Sequence, residues 1–291
     1  MIILDGAMGT ELTRRGIDTT LPLWSAIALD AAPDVVEQIH RDYLDAGADM
    51  LTANTFRTNI RALAKAGIAH RARELTFRAV ELARRAITAS RHTGAPSAKV
   101  AGSIAPVEDC YSPHLVPGDA ELAEEHAMLA SNLADAGVDL ILVETQNTIR
   151  EAVAAARAAR ATGKPLWVSF TLDGQNRLLS GESLSDAVQA VMPFAPQAVL
   201  VNCIPVRQVA AALKLLRSAA LPDVLVGAYA NVGHVDETIG WTLTNAVSPG
   251  AYAQAAREWR DLGATIIGGC CGTTPEHVAA LSQAVKVTLA C

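Results

Sequence analysis

The chain has 291 residues, 51% of them apolar, and a formal net charge of −6. Such a length buries a large core and fits one big α/β domain as well as two small ones, while the acidic balance excludes nucleic acid as the natural partner. No apolar run approaches the roughly 18 residues of a membrane span. The opening Met1-Ile2-Ile3-Leu4-Asp5 lacks the charged region of an export signal, and the five cysteines suit a reducing compartment, so the expected location is cytoplasmic.

In chain order, short apolar runs of strand character fall at residues 2–4, 50–53, 100–102, 140–143, 166–170, 198–201, 224–228 and 265–267. Longer segments with helical spacing separate them, at 33–46, 120–136, 149–161, 184–191, 206–219 and 249–262. Pro33 and Pro249 suit a first helical turn, and Gly47, Gly137 and Gly263 suit a C-terminal cap just before a strand. The basic stretch from Arg57 to His92 carries Phe77, Val80, Ala83 and Ile87 at helical spacing, so its arginines read as the wet face of a helix. Eight strand–helix units in this length predict a (β/α)₈ TIM barrel as a single domain over residues 1–291. A doubly wound open sheet is the alternative, but the first strand-to-helix turn has no G-x-G-x-x-G pattern.

In such a barrel the C-terminal ends of the strands share one mouth. Asp5 follows the first strand, Asn54 and Thr55 the second, Ser103 the third and Glu144 the fourth; Cys203 follows the sixth, Asn231 the seventh, and Cys270 with Cys271 the eighth. The vicinal pair sits in Gly268-Gly269-Cys270-Cys271-Gly272-Thr273, and a disulfide between neighbours would need a strained eight-membered ring. Glycines on either side allow the sharp turn that lets both thiols reach one ion. With Cys203 they make three ligands of one zinc ion and leave the fourth position open. Glu144, after four apolar residues, needs a cationic or hydrogen-bonding partner, and a ligand ammonium would serve. Asp5 and Asn231 could also simply cap turns. Cys110 and Cys291 read as ordinary buried or exposed thiols. His40, His70, His92, His126 and His277 read as surface or packing residues, and His114 and His234 as loop residues without ligand spacing to the cysteines.

Three thiolates give a zinc site with net charge −1, poorly suited to polarising a carbonyl but able to take a fourth sulfur. A substrate thiol is deprotonated on such a site and stays nucleophilic. The chemistry this predicts is alkylation of a thiolate.

At these residues the sequence resembles the zinc- and homocysteine-dependent S-methyltransferases, the family that includes S-methylmethionine– and betaine–homocysteine methyltransferases and the homocysteine domain of methionine synthase. The resemblance runs through Asp5-Gly6-Ala7-Met8-Gly9-Thr10-Glu11-Leu12, Thr52-Ala53-Asn54-Thr55-Phe56, Gly102-Ser103-Ile104, Val143-Glu144-Thr145, Val201-Asn202-Cys203 and 268–273. It implies a (β/α)₈ barrel with zinc on Cys203, Cys270 and Cys271. It further implies that Asp5 and Glu144 hold the homocysteine ammonium, that backbone amides of Gly6, Ala7 and Met8 hold its carboxylate, and that Asn231 offers zinc an oxygen before homocysteine arrives. The thiolate would then attack an activated methyl group in line, giving methionine.

The segment 104–114 departs from the glycine- and tyrosine-rich one common in members that use S-methylmethionine, so the donor stays open: S-methylmethionine first, betaine or dimethylsulfoniopropionate behind it. A cationic donor favours aromatic or acidic neighbours, for which Trp24, Tyr111, Glu108 and Asp109 are candidates. Two other readings compete. One is a structural zinc protein, for which Cys110 would have to be the fourth ligand; the other is a zinc hydrolase.

Overall fold

The computed structural model describes residues 1–90, 97–236, 240–242 and 247–286. Its strands are β1 Ile2–Ile3, β2 Met50–Ala53, β3 Lys99–Ile104, β4 Leu140–Gln146, β5 Leu166–Phe170, β6 Ala198–Pro205, β7 Leu225–Asn231, β8 His234–Asp236, β9 Gly240–Thr242 and β10 Ile266–Gly269. Eight of them form one parallel sheet in the order β1-β10-β7-β6-β5-β4-β3-β2. The two outer strands meet as well: Leu4 bridges Met50, and Asp5 N–H donates to the Met50 carbonyl at 3.0 Å. The ring therefore closes as the expected (β/α)₈ barrel. β8 and β9 form a separate antiparallel hairpin after β7, which the strand count did not anticipate.

The helices are α1 Met8–Arg14, α2 Ala28–Ala31, α3 Pro33–Asp45, α4 Ile60–Lys65, α5 Ala72–Ala89, α6 Asp119–Asp135, α7 Ile149–Ala161, α8 Leu184–Val191, α9 Val206–Ala219, α10 Pro249–Asp261 and α11 Pro275–Lys286. Asn59, Thr148, Ser183 and Ser248 each cap a helix start by accepting a backbone N–H two or three residues into it. Gly47, Gly137 and Gly263 leave their helices with φ of +98°, +83° and +94°, a backbone that a side chain would strain. No helix among the described residues is long and apolar enough to cross a membrane.

Strand alternation divides the core in two. Ile141, Val143, Val199 and Val201 point outward against the helices, whereas Leu140, Leu142, Ala198 and Leu200 point into the barrel. Carried one step further along each strand, the inward register places Ser103, Glu144, Ser169, Asn202 and Tyr229 in one layer at the C-terminal end. The apolar barrel filling thus ends in a polar ceiling, and the cavity lies directly above it.

Candidate active site

A cavity of about 940 Å³ occupies this end of the barrel, and it brings together Asp5, Gly6, Ala7, Met8, Glu144, Cys203, Cys270 and Cys271. Glu144, 7% exposed, is held on both oxygens: Ser103 Oγ donates to Oε1 at 2.5 Å and the Tyr229 hydroxyl to Oε2 at 2.9 Å. Asp5 accepts the Thr52 backbone N–H at 2.8 Å and the Thr52 hydroxyl at 2.9 Å. Burial pushes the Asp5 carboxyl up to about 8 against these bonds, with the nearby Glu144 adding to the rise. Burial likewise pushes Glu144 up to about 7, opposed by the Ser103 bond. Two carboxyls this reluctant to ionise form a site that gains most from an incoming cation.

The three thiols converge from two strand ends. Their sulfurs all lie within 4.8 Å of one another, with Cys270 and Cys271 Sγ 4.0 Å apart. A tetrahedral zinc with bonds of about 2.3 Å needs sulfur–sulfur edges of about 3.8 Å, so the donor set fits the ion with little adjustment. Cys110 is not part of this cluster; it is buried beside the cavity, and burial pushes its thiol up to about 12. Among the three thiols, bonds from Cys203 and then Cys271 hold Cys270 well below the usual thiol range, while the bond Cys203 gives to Cys270 pushes Cys203 up.

Local backbone geometry explains how these side chains come to face one another. Strict alternation would turn Cys203 outward, since Asn202 faces in. Instead Cys203 adopts φ +54° where the β6–β7 register shifts, and the thiol swings to the cavity. Thr145, next to Glu144, adopts φ +57° at a second register shift, between β4 and β5. Left-handed backbone is strained for both residue types, on the order of 1–3 kcal/mol each. Asn202 holds the two bulges together: its Oδ1 accepts Thr145 N–H at 3.0 Å and Ser169 Oγ at 2.7 Å, and its Nδ2 donates to Thr145 Oγ1 at 2.8 Å. On β10, a Cβ on Gly269 would lie 2.3 Å from Thr273 Oγ1, so only glycine admits the turn that brings both cysteines to the rim.

A family model described as homocysteine S-methyltransferase matches residues 2–285. The chain belongs to the homocysteine S-methyltransferase family. Its relatives include a homocysteine S-methyltransferase of Escherichia coli, 32% identical with 97% of this chain and 94% of that one covered. Another is the homocysteine S-methyltransferase YbgG of Bacillus subtilis, 29% identical over 99% and 96%. Among solved structures, the metallated form of the homocysteine methyltransferase MmuM from Escherichia coli superposes with a TM-score of 0.84, at 30% identity and covering 97% of this chain and 96% of that one.

Within this homocysteine S-methyltransferase, several expected residues take other duties. Asn231 Oδ1 accepts the Cys271 backbone N–H at 3.0 Å, so it braces the cysteine turn. The Ala7 amide donates to Thr273 Oγ1 at 3.2 Å. Asn54 lines the cavity but donates to the Ser25 carbonyl, and Thr55 is fully buried and exchanges two hydrogen bonds with the Ser103 backbone. Glu108 is not a donor-site acid: its carboxylate pairs with Arg61 and Lys65. Asp109 lines the cavity, yet its oxygens turn back to Tyr111 N–H and Ser112 Oγ. Trp24 and Tyr111 do line it, and Trp24 meets Phe56 edge-on at 5.4 Å. Among the histidines, His40 and His126 are fully buried and His114 is exposed; His92, the side chain of His234, and Cys291 lie outside the described residues.

Sequence reasoning gave no role to Thr52 and Tyr229, which hold Asp5 and Glu144, or to Thr145 and Asn202, which hold each other. It also missed Arg57, assigned to a wet helix face. Arg57 precedes α4 and is 9% exposed in the cavity wall. Arg61 of α4 and Arg73, Arg78, Arg84 and Arg85 of α5 do make ion pairs on the outer faces of their helices. Strand parity could have found Tyr229 and Asn202.

Proposed function

We propose that the cavity positions homocysteine with its ammonium between Asp5 and Glu144, its carboxylate toward the backbone at Gly6, Ala7 and Met8, where the Ala7 amide would have to exchange its bond to Thr273 for the carboxylate, and its sulfur among Cys203, Cys270 and Cys271. The observation that carries this reading is the pairing of two buried, cation-seeking carboxyls with a three-thiol cluster in one cavity. Zinc, held by the three cysteines, would supply a Lewis acid that keeps a substrate thiol deprotonated without quenching its nucleophilicity. Ser103 and Tyr229 fix the Glu144 carboxylate, and Asn202 fixes the strand bulges that carry Glu144 and Cys203. The apolar rings of Trp24 and Phe56 line the path of the methyl group and would limit water there. Transfer moves the methyl from an onium centre to sulfur, and the donor leaves as a neutral molecule, so no general base is needed at carbon. Orientation and desolvation then carry most of the rate.

The donor we favour is a small sulfonium, S-methylmethionine, ahead of betaine and dimethylsulfoniopropionate. A structural zinc site gains no support, because Cys110 stays outside the cluster. The test is a donor panel with homocysteine as acceptor, measuring methionine. Methionine from at least one onium donor is expected; its absence with every donor, in protein carrying one zinc per chain, would overturn the reading.

A further inference from the structure

Arg57 is the only Lys or Arg side chain among the described residues that line the cavity, whose other charged or ionisable groups include Asp5, Glu144, Asp109 and the cysteines. Its Nη1 donates to the Glu108 carbonyl at 3.0 Å, and its Nε is buried with no acceptor. Among the described residues no carboxylate pairs with it. Arg61, four residues later, meets Glu108, Glu121 and Glu125. A guanidinium taken this far out of water is strongly penalised unless an anion faces it. The Phe56 ring, 5.6 Å from the guanidinium carbon, offers a weak contact and no counter-charge.

Its position says which substrate would bring the anion. The bond to Glu108 fixes Arg57 beneath the β3–α6 connection, residues 105–118, beside Phe56. Glu144, Ser103 and Tyr229 belong to the barrel ceiling below. An amino acid whose ammonium rests at Asp5 and Glu144 takes the floor of the cavity, and the second substrate takes the outer chamber where Arg57 waits.

We propose that Arg57 determines donor specificity by pairing with a carboxylate on the methyl donor. The donor class is then an onium acid, with a methylated sulfonium or ammonium a few bonds from a carboxylate, rather than a simple onium cation. The inference rests on the methyl-transfer reading above. The onium methyl faces the homocysteine sulfur while the carboxylate is anchored at the guanidinium. The new S–CH3 bond forms as the carbon–onium bond breaks, its electron pair stays on the donor heteroatom, and a neutral sulfide or amine departs with the carboxylate still attached. A planar guanidinium grips a carboxylate through two parallel bonds, which also fixes the direction of the methyl.

The experiment compares kcat/KM for the best acid donor, its neutral amide and trimethylsulfonium, all with homocysteine, in zinc-loaded wild type, Arg57→Leu and Arg57→Lys. Wild type should prefer the acid over the amide by at least about 30-fold. Arg57→Leu should erase that preference by slowing only the acid, with the amide and trimethylsulfonium rates, the homocysteine KM and the zinc content all within about twofold of wild type. Arg57→Lys should fall between. Equal use of acid and amide by wild type would overturn the proposal, and so would an Arg57→Leu loss shared by all donors, which would mark a residue that only props the 105–118 segment. Methionine formed without an acid preference sinks the Arg57 assignment alone; no methionine from any donor sinks the methyl-transfer reading beneath it.

Discussion

The floor of the cavity and its outer chamber are built in opposite ways. On the floor, strand ends supply every functional side chain and the protein satisfies them in advance: both Glu144 oxygens are taken, Asp5 is held by Thr52, and Asn202 ties two strained bulges together. In the outer chamber, connecting segments supply Trp24, Phe56, Arg57 and Tyr111, and a buried guanidinium keeps free donor capacity. On the proposed reading, the half that takes homocysteine is preorganised, and the half that takes the methyl donor is built from connecting segments with hydrogen-bond donor capacity to spare.

The contrast breaks most visibly at the thiols. Cys203→Ala or Cys271→Ala should lose zinc and methionine formation together, read by metal analysis and activity on the same sample; full activity without metal would end the account. Glu144→Gln should keep zinc but weaken homocysteine binding by about 100-fold, because a charged partner of the ammonium becomes neutral; unchanged affinity would remove its assigned role. Asn202→Leu should loosen both bulges at once, weakening zinc by about tenfold and raising the homocysteine KM. A change in only one of these would show that the two bulges are independent.

A smaller effect follows from the carboxyls of the floor. Asp5 rises from 3.8 to about 8 and Glu144 from 4.5 to about 7 on folding. Between these limits the folded protein keeps protons that the unfolded chain has released, so their contribution to stability is full below about pH 4 and is lost as pH rises toward 8. Denaturant unfolding of the substrate-free protein should show this decline, and Asp5→Asn should flatten it. By the same sign, an amino acid that carries an ammonium but no thiol, such as methionine, should release protons on binding at pH 7, read by calorimetry in buffers of different ionisation enthalpy. The smallest effect is expected in the outer chamber: Trp24→Leu should slow a cationic donor by about two- to fivefold, with homocysteine KM unchanged.

Much of this was legible in the sequence because barrels make rim positions predictable. Eight apolar runs gave the strands, and Cys203, Glu144 and the vicinal cysteines fell at their ends. Two kinds of residue escaped. Thr145 turns to Asn202 through a bulge with left-handed backbone, and a bulge reverses the alternation on which strand reading relies, whereas Asn202 keeps the inward parity and escaped as a lone polar residue inside an apolar run. Arg57 escaped because it opens a basic stretch whose other arginines do sit on wet helix faces; its burial depends on the 105–118 segment folding over it, a contact between residues 51 positions apart.

The central claim is an open fourth position on a three-thiolate metal site, filled by substrate sulfur. X-ray absorption at the zinc edge of the loaded protein counts sulfur ligands directly. The account predicts three sulfurs and one lighter atom without homocysteine, and four sulfurs with it. Four sulfurs before homocysteine is added, or three that do not change on its addition, would contradict it.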